Sequence, residues 1–216
     1  MVHASPLIVL ASTKVGDKSL VLHTLSPAWG RRSFITGVGK GSSQAMFLPL
    51  SLLDAEIVEN PTSDLWRVRS LSVSEPLGGI RGNMHKNTMT LFMSEVLFRT
   101  LKEGTMEEGL FDWCRRSILT LDALQSDFPN YHLRFLLEFA GALGFAPTLE
   151  DLAPFAGEHF ATVRDLMSSD AASFLLVPMT GEKRNAVAAL LLDYIGYHTE
   201  TRLNIRSLQV LREIYQ

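Results

Sequence analysis

The chain of 216 residues contains one cysteine, Cys114, and that scarcity removes two stabilising chemistries at the outset. A lone thiol can neither close an internal disulfide nor build a thiolate-rich zinc site, so the fold must rest on its core, in keeping with a reducing compartment. Long apolar runs are also missing. No stretch approaches the roughly 18 residues that cross a bilayer. The apolar run from Pro6 to Ala11 is too short for a signal peptide and lacks its basic flank. These absences predict a soluble protein that stays in the cytoplasm and has no membrane partner.

Catalytic spacings are absent as well. Gly37-Val38-Gly39-Lys40-Gly41-Ser42 comes nearest to a phosphate-binding loop, but its lysine is followed by Gly41 where Ser or Thr is required, and the upstream glycine spacing fails. It reads as a glycine-rich hairpin loop. The histidines (His3, His23, His85, His132, His159, His198) are scattered, with no pair on one helix face, so no metal set is expected. There is no Gly-x-Ser-x-Gly elbow. Asp17 and Asp54 are isolated carboxylates without ligand spacing for a metal-dependent nuclease. Cys114, between Trp113 and Arg115 in an amphipathic segment, reads as a packing residue. The expectation is a non-enzymatic protein without cofactor, metal or small-molecule substrate.

What is present is unevenly distributed. The net charge is only -3, yet Met1 to Lys86 carries nine basic residues against six acidic ones, a net +3. The remainder carries eleven against seventeen, a net -6. This is the pattern of a basic binding head on an acidic body.

Hydrophobic periodicity divides the chain at the same place. Short β-branched and apolar runs punctuated by turn residues predict strands at Leu7 to Lys14, Lys18 to Leu25, Arg31 to Val38, Leu50 to Val58 and Leu65 to Ser74. So many short antiparallel strands in so little chain suit a small closed barrel, because closure removes exposed edges. After Pro76-Leu77-Gly78-Gly79 the period changes to that of a helix. Helices are predicted at Met84 to Leu101, with Met84, Leu91, Val96, Phe98 and Leu101 among its apolar positions, and at Leu110 to Leu124. A third runs from an Asn130 N-cap to Leu143 with Gly144 as its stop, followed by others at Arg184 to His198 and Arg206 to Tyr215. Phe145 to Arg164 is less periodic. The fold class is α+β, with a barrel over 1–77 and an all-helical domain over 78–216.

A barrel that holds a polynucleotide needs cations for phosphates and flat side chains for bases. Lys14, Lys18, Arg31, Arg32, Lys40, Arg67 and Arg69 supply the first, and Trp29, Phe34 and Trp66 are interleaved with them. Arg67 and Arg69, two apart on one strand, form a stripe. The alternative is that the aromatics fill the barrel and the cations are merely solvated. In the helical half Arg134 stands in an otherwise apolar helix. Either Glu138 pairs with it at i,i+4, or it faces a groove where, with Arg115, Arg116, His132 and Phe135, it receives the carboxylate and apolar side chain of a partner's tail.

In order along the chain, VLASTKVGDKSLVLHTLSPAWGRRSFITGVGKG, FLPLSLLDAEIVEN, TLFMSEVLFRTLKEG, DWCRRSILTLDAL, FPNYHLRFLLEFAGALGFAP and LLDYIGYHTETRLNIRSLQVLREIY resemble the RecO family of bacterial recombination mediators. The resemblance implies an oligonucleotide-binding (OB) fold barrel followed by a helical domain, and binding and annealing of single- and double-stranded DNA at the nucleoid. It also implies partnership with RecR and with the C-terminal tail of single-stranded DNA-binding protein (SSB), so that RecA is loaded onto SSB-coated strands. Arg134 matches an arginine of the family's tail-binding helix. Some members carry a four-cysteine zinc module after this helix. Here Phe145 to Arg164 has no cysteine, so zinc is expected to be absent and the segment to pack differently.

Overall fold

The computed structural model of the protein describes residues 1–37, 44–126 and 128–214. Strands β1 (Val2–Val15), β2 (Ser19–Ser26), β3 (Gly30–Gly37), β4 (Leu52–Val58) and β5 (Trp66–Glu75) close into a barrel in the order β1-β2-β3-β5-β4. The neighbours are antiparallel except at the seam, where β3 and β5 pair in parallel through Phe34 opposite Trp66 and Ile35 opposite Arg67. β1 serves two neighbours, meeting β4 over Val2 to Ile8 and β2 from Ile8 to Val15, with a register shift between Val9 and Ala11. Such an irregularity bends a strand so that it can pass from one partner to the next.

Alternation decides what fills the barrel. Leu7, Val9, Phe34, Leu53, Ala55, Ile57 and Val68 form its core, with Trp29, Met46, Trp66 and Leu71 packed against them. Each large apolar side chain buried there contributes about 1.5–3 kcal/mol. Because the seam spans only two residue pairs, the edge of β3 from Gly30 to Ser33 is left without a strand partner in β5. Residues 101–104 cover it. Arg31 bridges Glu103 in parallel, Gly104 N donates to Arg31 O at 2.8 Å, and Ser33 N donates to the Glu103 carboxylate at 3.1 Å. Gly30 makes this approach possible, since its φ is +60° and a Cβ would lie 2.0 Å from Thr105 O.

Two compact units result, the first comprising 1–78 with 97–119 and the second 79–96 with 120–216. The periodicity change at 77 assigns 97–119 to the helical domain. In the structure these residues cluster with the barrel, through contacts 70 residues apart in sequence that no local period encodes.

Helices α1 (Gly78–Arg81), α2 (Met84–Thr100) and α3 (Leu110–Ala123) follow the barrel. Met84 and Leu91, expected among the apolar positions of α2, are exposed, whereas Lys86, Thr88, Thr90 and Ser94 are buried. The buried polar groups are satisfied locally: Thr90 and Ser94 donate to carbonyls of the preceding turn. Lys86 Nζ donates to Asp122 O at 3.0 Å and to Leu124 O, neutralising the carbonyl end of α3.

α4 (Tyr131–Ala142) is the buried rod of the second unit, with Leu133, Phe135, Leu136, Phe139 and Ala140 all in the core. Asn130 sits at its N-cap position but its side chain makes no cap bond. Instead its amide donates to Val177 O at 2.9 Å and Leu175 O at 3.2 Å, and its oxygen accepts from Arg184 Nε at 2.9 Å. The segment expected to be irregular is largely helical. It forms α5 (Leu149–Ala156), opened by a reciprocal Thr148–Asp151 capping box, and α6 (Phe160–Met167). α7 (Ala171–Leu176), α8 (Gly181–His198) and α9 (Ser207–Ile214) complete the unit. Among the described residues, no helix is long and apolar enough to cross a membrane. Among the described residues, no group of three or more His, Cys, Asp or Glu side chains is placed to hold a metal ion.

Candidate functional site

The basic candidates of the barrel fall into two classes. Lys14 and Lys18 at the β1–β2 turn are exposed, as are Arg67 and Arg69 on β5. Arg67 lies beside Ile35 of β3 and Val58 of β4, while a bulge opposite Glu56 and Ile57 takes up Arg69, whose Nε is 3.7 Å from Glu56. The stripe is therefore interrupted, with Arg67 open to solvent and Arg69 sharing its charge with a surface carboxylate. Lys40 lies outside the described residues.

Arg31 and Arg32 are held by the protein itself. The Arg31 guanidinium donates to Leu101 O at 2.7 Å and lies 4.3 Å from the Phe98 ring centroid. Burial lowers its pKa, against the opposing pull of Glu103. Arg32 stacks 3.7 Å above the Trp66 ring and donates to Asp64 O at 3.2 Å. Trp29 is a packing residue here, edge-on to Phe34 at 5.9 Å and to Trp66 at 5.5 Å.

A feature that sequence reading missed lies on the outer face of β1, β2 and β3. His23 Nδ1 is hydrogen-bonded to Ser33 Oγ at 2.9 Å, and its Nε2 is 3.2 Å from Thr13 Oγ1. Burial depresses the pKa of His23, and the neighbouring Arg31 adds to this, while Glu103 opposes it. Beside this line of polar groups is an open groove of about 480 Å³, lined by Val21, His23, Arg32, Ser33, Asp64, Leu65, Glu103 and Gly104. Ser33 and Glu103 are 70 residues apart, so no local pattern links them.

In the second unit Arg134 takes the partner expected at i,i+4, donating to Glu138 at 2.6 Å, and also reaches Ala171 O at 3.1 Å. These groups line a groove of about 250 Å³ with Leu137, Leu166, Met167, Asp170 and Phe174. The other residues expected to join it are elsewhere. His132 and Phe135 are buried, at 1% and 2% exposure, so neither offers a surface to a ligand. Phe135 stacks on Phe139, and His132 meets Phe92 edge-on. Arg115 pairs with Glu75 at 2.9 Å within the barrel unit, where Arg116 also belongs.

Comparison with known proteins supplies the context for these surfaces. A family model described as "Recombination protein O C terminal" matches residues 81–154. A protein named DNA repair protein RecO from Phocaeicola vulgatus is 27% identical over 233 residues, covering 96% of this chain and 97% of the relative. Proteins of the same name from Flavobacterium psychrophilum and Azobacteroides pseudotrichonymphae are 26% and 22% identical, covering 96% and 100% of the chain and 97% and 100% of the relatives. With a closed OB-like barrel followed by helices and similarity along nearly the whole chain, the protein resembles the RecO family of DNA repair proteins.

Proposed function

We propose that the protein binds single- and double-stranded DNA through its barrel, anneals complementary strands, and with RecR assists RecA loading onto SSB-coated DNA. The observation that carries the reading is a closed barrel with exposed cations, Lys14, Lys18 and Arg67, and an open groove lined in part by Arg32, which stacks on Trp66. Cations hold phosphates without fixing sequence, and base edges stay free to pair. The role is one of holding and positioning, and it involves no bond-making step.

The helical unit contributes the tether. The groove at Arg134 has the components that an acidic tail ending in an aromatic residue needs, a guanidinium for the carboxylate and Leu137, Leu166, Met167 and Phe174 for the apolar group. Binding requires Arg134 to exchange Glu138 for the incoming carboxylate. A tether of this kind raises the local concentration of annealing partners on one strand.

A second reading, an adaptor that docks RecR and SSB without contacting DNA, draws on the internal engagement of Arg31 and Arg32, which leaves fewer free cations than the sequence suggests. Anisotropy titrations of the full chain with single-stranded DNA at two salt concentrations separate the readings. If the exposed cations hold phosphates, affinity falls with salt, and Arg67→Ala lowers the log–log slope by about 0.7, the share of one phosphate on a single strand. Absence of binding at low salt leaves only the adaptor.

A further inference from the structure

The groove on the β2–β3 face is lined in part by one of the protein's own carboxylates, that of Glu103. One donor, the Ser33 backbone N–H on the β3 edge, reaches the Glu103 carboxylate directly, while Arg31, held by Leu101 O, and His23, held by Ser33 and Thr13, lie near enough to feel its charge. Arg32 lines the same wall, its guanidinium flat on Trp66. The Glu103 carboxylate lies 3.1 Å from Ser33 N. Glu103 is an exposed residue on an exposed stretch running from 102 to 109. An exposed carboxylate held by one hydrogen bond is an exchangeable occupant, because rotating the side chain frees the site without moving the backbone bond between Gly104 N and Arg31 O.

A phosphodiester has the same charge as this carboxylate and offers the same kind of acceptor oxygens. We propose that Glu103 stands in the position of a DNA phosphate on the β2–β3 face, and that an entering single strand displaces it. The inference rests on the DNA-binding reading above and adds the place and the gate. The volume of about 480 Å³ accommodates a nucleotide-sized segment, with Val21 and Leu65 as apolar walls for a base and Asp64 as the second acid, at the rim. Competition from Glu103 weakens each engagement. A protein that brings complementary strands together and then leaves the duplex needs such weakening, since a strand held too firmly cannot be released to its partner.

The test uses the full chain and a dye-labelled oligothymidylate, with Glu103→Gln compared against Glu107→Gln. Glutamine at 103 keeps an oxygen acceptor for Ser33 N–H and removes the charge, and Glu107→Gln makes the same change of net charge further along the exposed stretch. Glu103→Gln is expected to tighten binding about fivefold, and Glu107→Gln by less than about twofold, as distant exposed charges are screened. Equal effects of the two variants overturn the gate. In that event a salt-dependent wild-type titration that responds to Arg67→Ala leaves the DNA-binding reading standing. If neither wild type nor Glu103→Gln binds, both fall. Independently of any variant, the Ser33 amide resonance of the isotope-labelled protein is expected to shift on addition of the oligonucleotide, and an unmoved Ser33 amide rules the site out.

Discussion

Acid should destabilise the helical unit through His132. Its imidazole is fully buried, and desolvation, aided by the charge of Arg184 and only partly offset by a backbone hydrogen bond at Pro129, pushes its pKa down to about 3. The unfolded chain has the ordinary value of about 6.5. Between these values the unfolded state binds a proton that the folded state refuses, so stability is full above about pH 6.5 and is lost as pH falls towards 3. Going from about pH 7 to about pH 4.5 crosses some two units of this window, a loss of about 2.5 kcal/mol from this one group. The assay is urea unfolding at both pH values, followed by far-UV circular dichroism because the tryptophans at 29, 66 and 113 all belong to the barrel unit. His132→Leu retains an apolar side chain in the site and cannot titrate. Whatever its stability at neutral pH, its acid-induced loss should be smaller than that of wild type by about 2.5 kcal/mol. Carboxylates with lowered pKa, such as Asp151 and Asp170, contribute equally to both proteins and cancel. Equal acid sensitivity of the two proteins would refute the assignment of a neutral, proton-refusing His132.

Two further outcomes follow from close contacts and ion pairs. Gly30→Ala forces a Cβ to within 2.0 Å of Thr105 O at a backbone φ of +60°, and should lower barrel stability by about 2 kcal/mol or more in denaturant titrations monitored by tryptophan fluorescence; a change under about 0.5 kcal/mol would mean that the 101–106 segment is not held against β3. Arg134→Ala should weaken binding of an acidic, phenylalanine-ended peptide about tenfold by calorimetry, in line with loss of a charge-assisted hydrogen bond, while oligonucleotide affinity stays unchanged; undiminished peptide affinity removes Arg134 from the tail groove.

The sites show where sequence reasoning reached and where it stopped. Arg134 and Glu138 are four residues apart, so their pairing was legible from helical spacing alone. That Arg67 and Arg69 sit on one strand two residues apart was legible from the sequence, whereas the bulge that takes up Arg69 was not. The burial of His132 and Phe135 was already suggested by a helix apolar on nearly all sides, yet both were also expected at a groove, because periodicity describes a helix face and not what covers it. Asn130 was placed at the correct helix start for a reason that does not operate there: its side chain serves carbonyls at 175 and 177 instead of the first turn.

By itself, the sequence determined the five strands and the longer helices, with their order, while the short helices α5 to α7 were not legible in it. Residue alternation specifies strands, a period near 3.6 specifies helices, and a single cysteine without clustered histidines excludes thiolate metal chemistry, all of them short-range properties that neighbouring residues carry. Only the tertiary structure decided which charges are free. Arg31 is engaged by Leu101 and Phe98, Arg32 by Trp66 and Asp64, and Ser33 by Glu103, partners that lie 32 to 70 residues away. Barrel closure brings β5 beside β3 and leaves the β3 edge short of a partner, so a distant carboxylate can complete it. That juxtaposition depends on chain path and not on local pattern, which is why the basic residues could be read from the sequence but their internal partners could not.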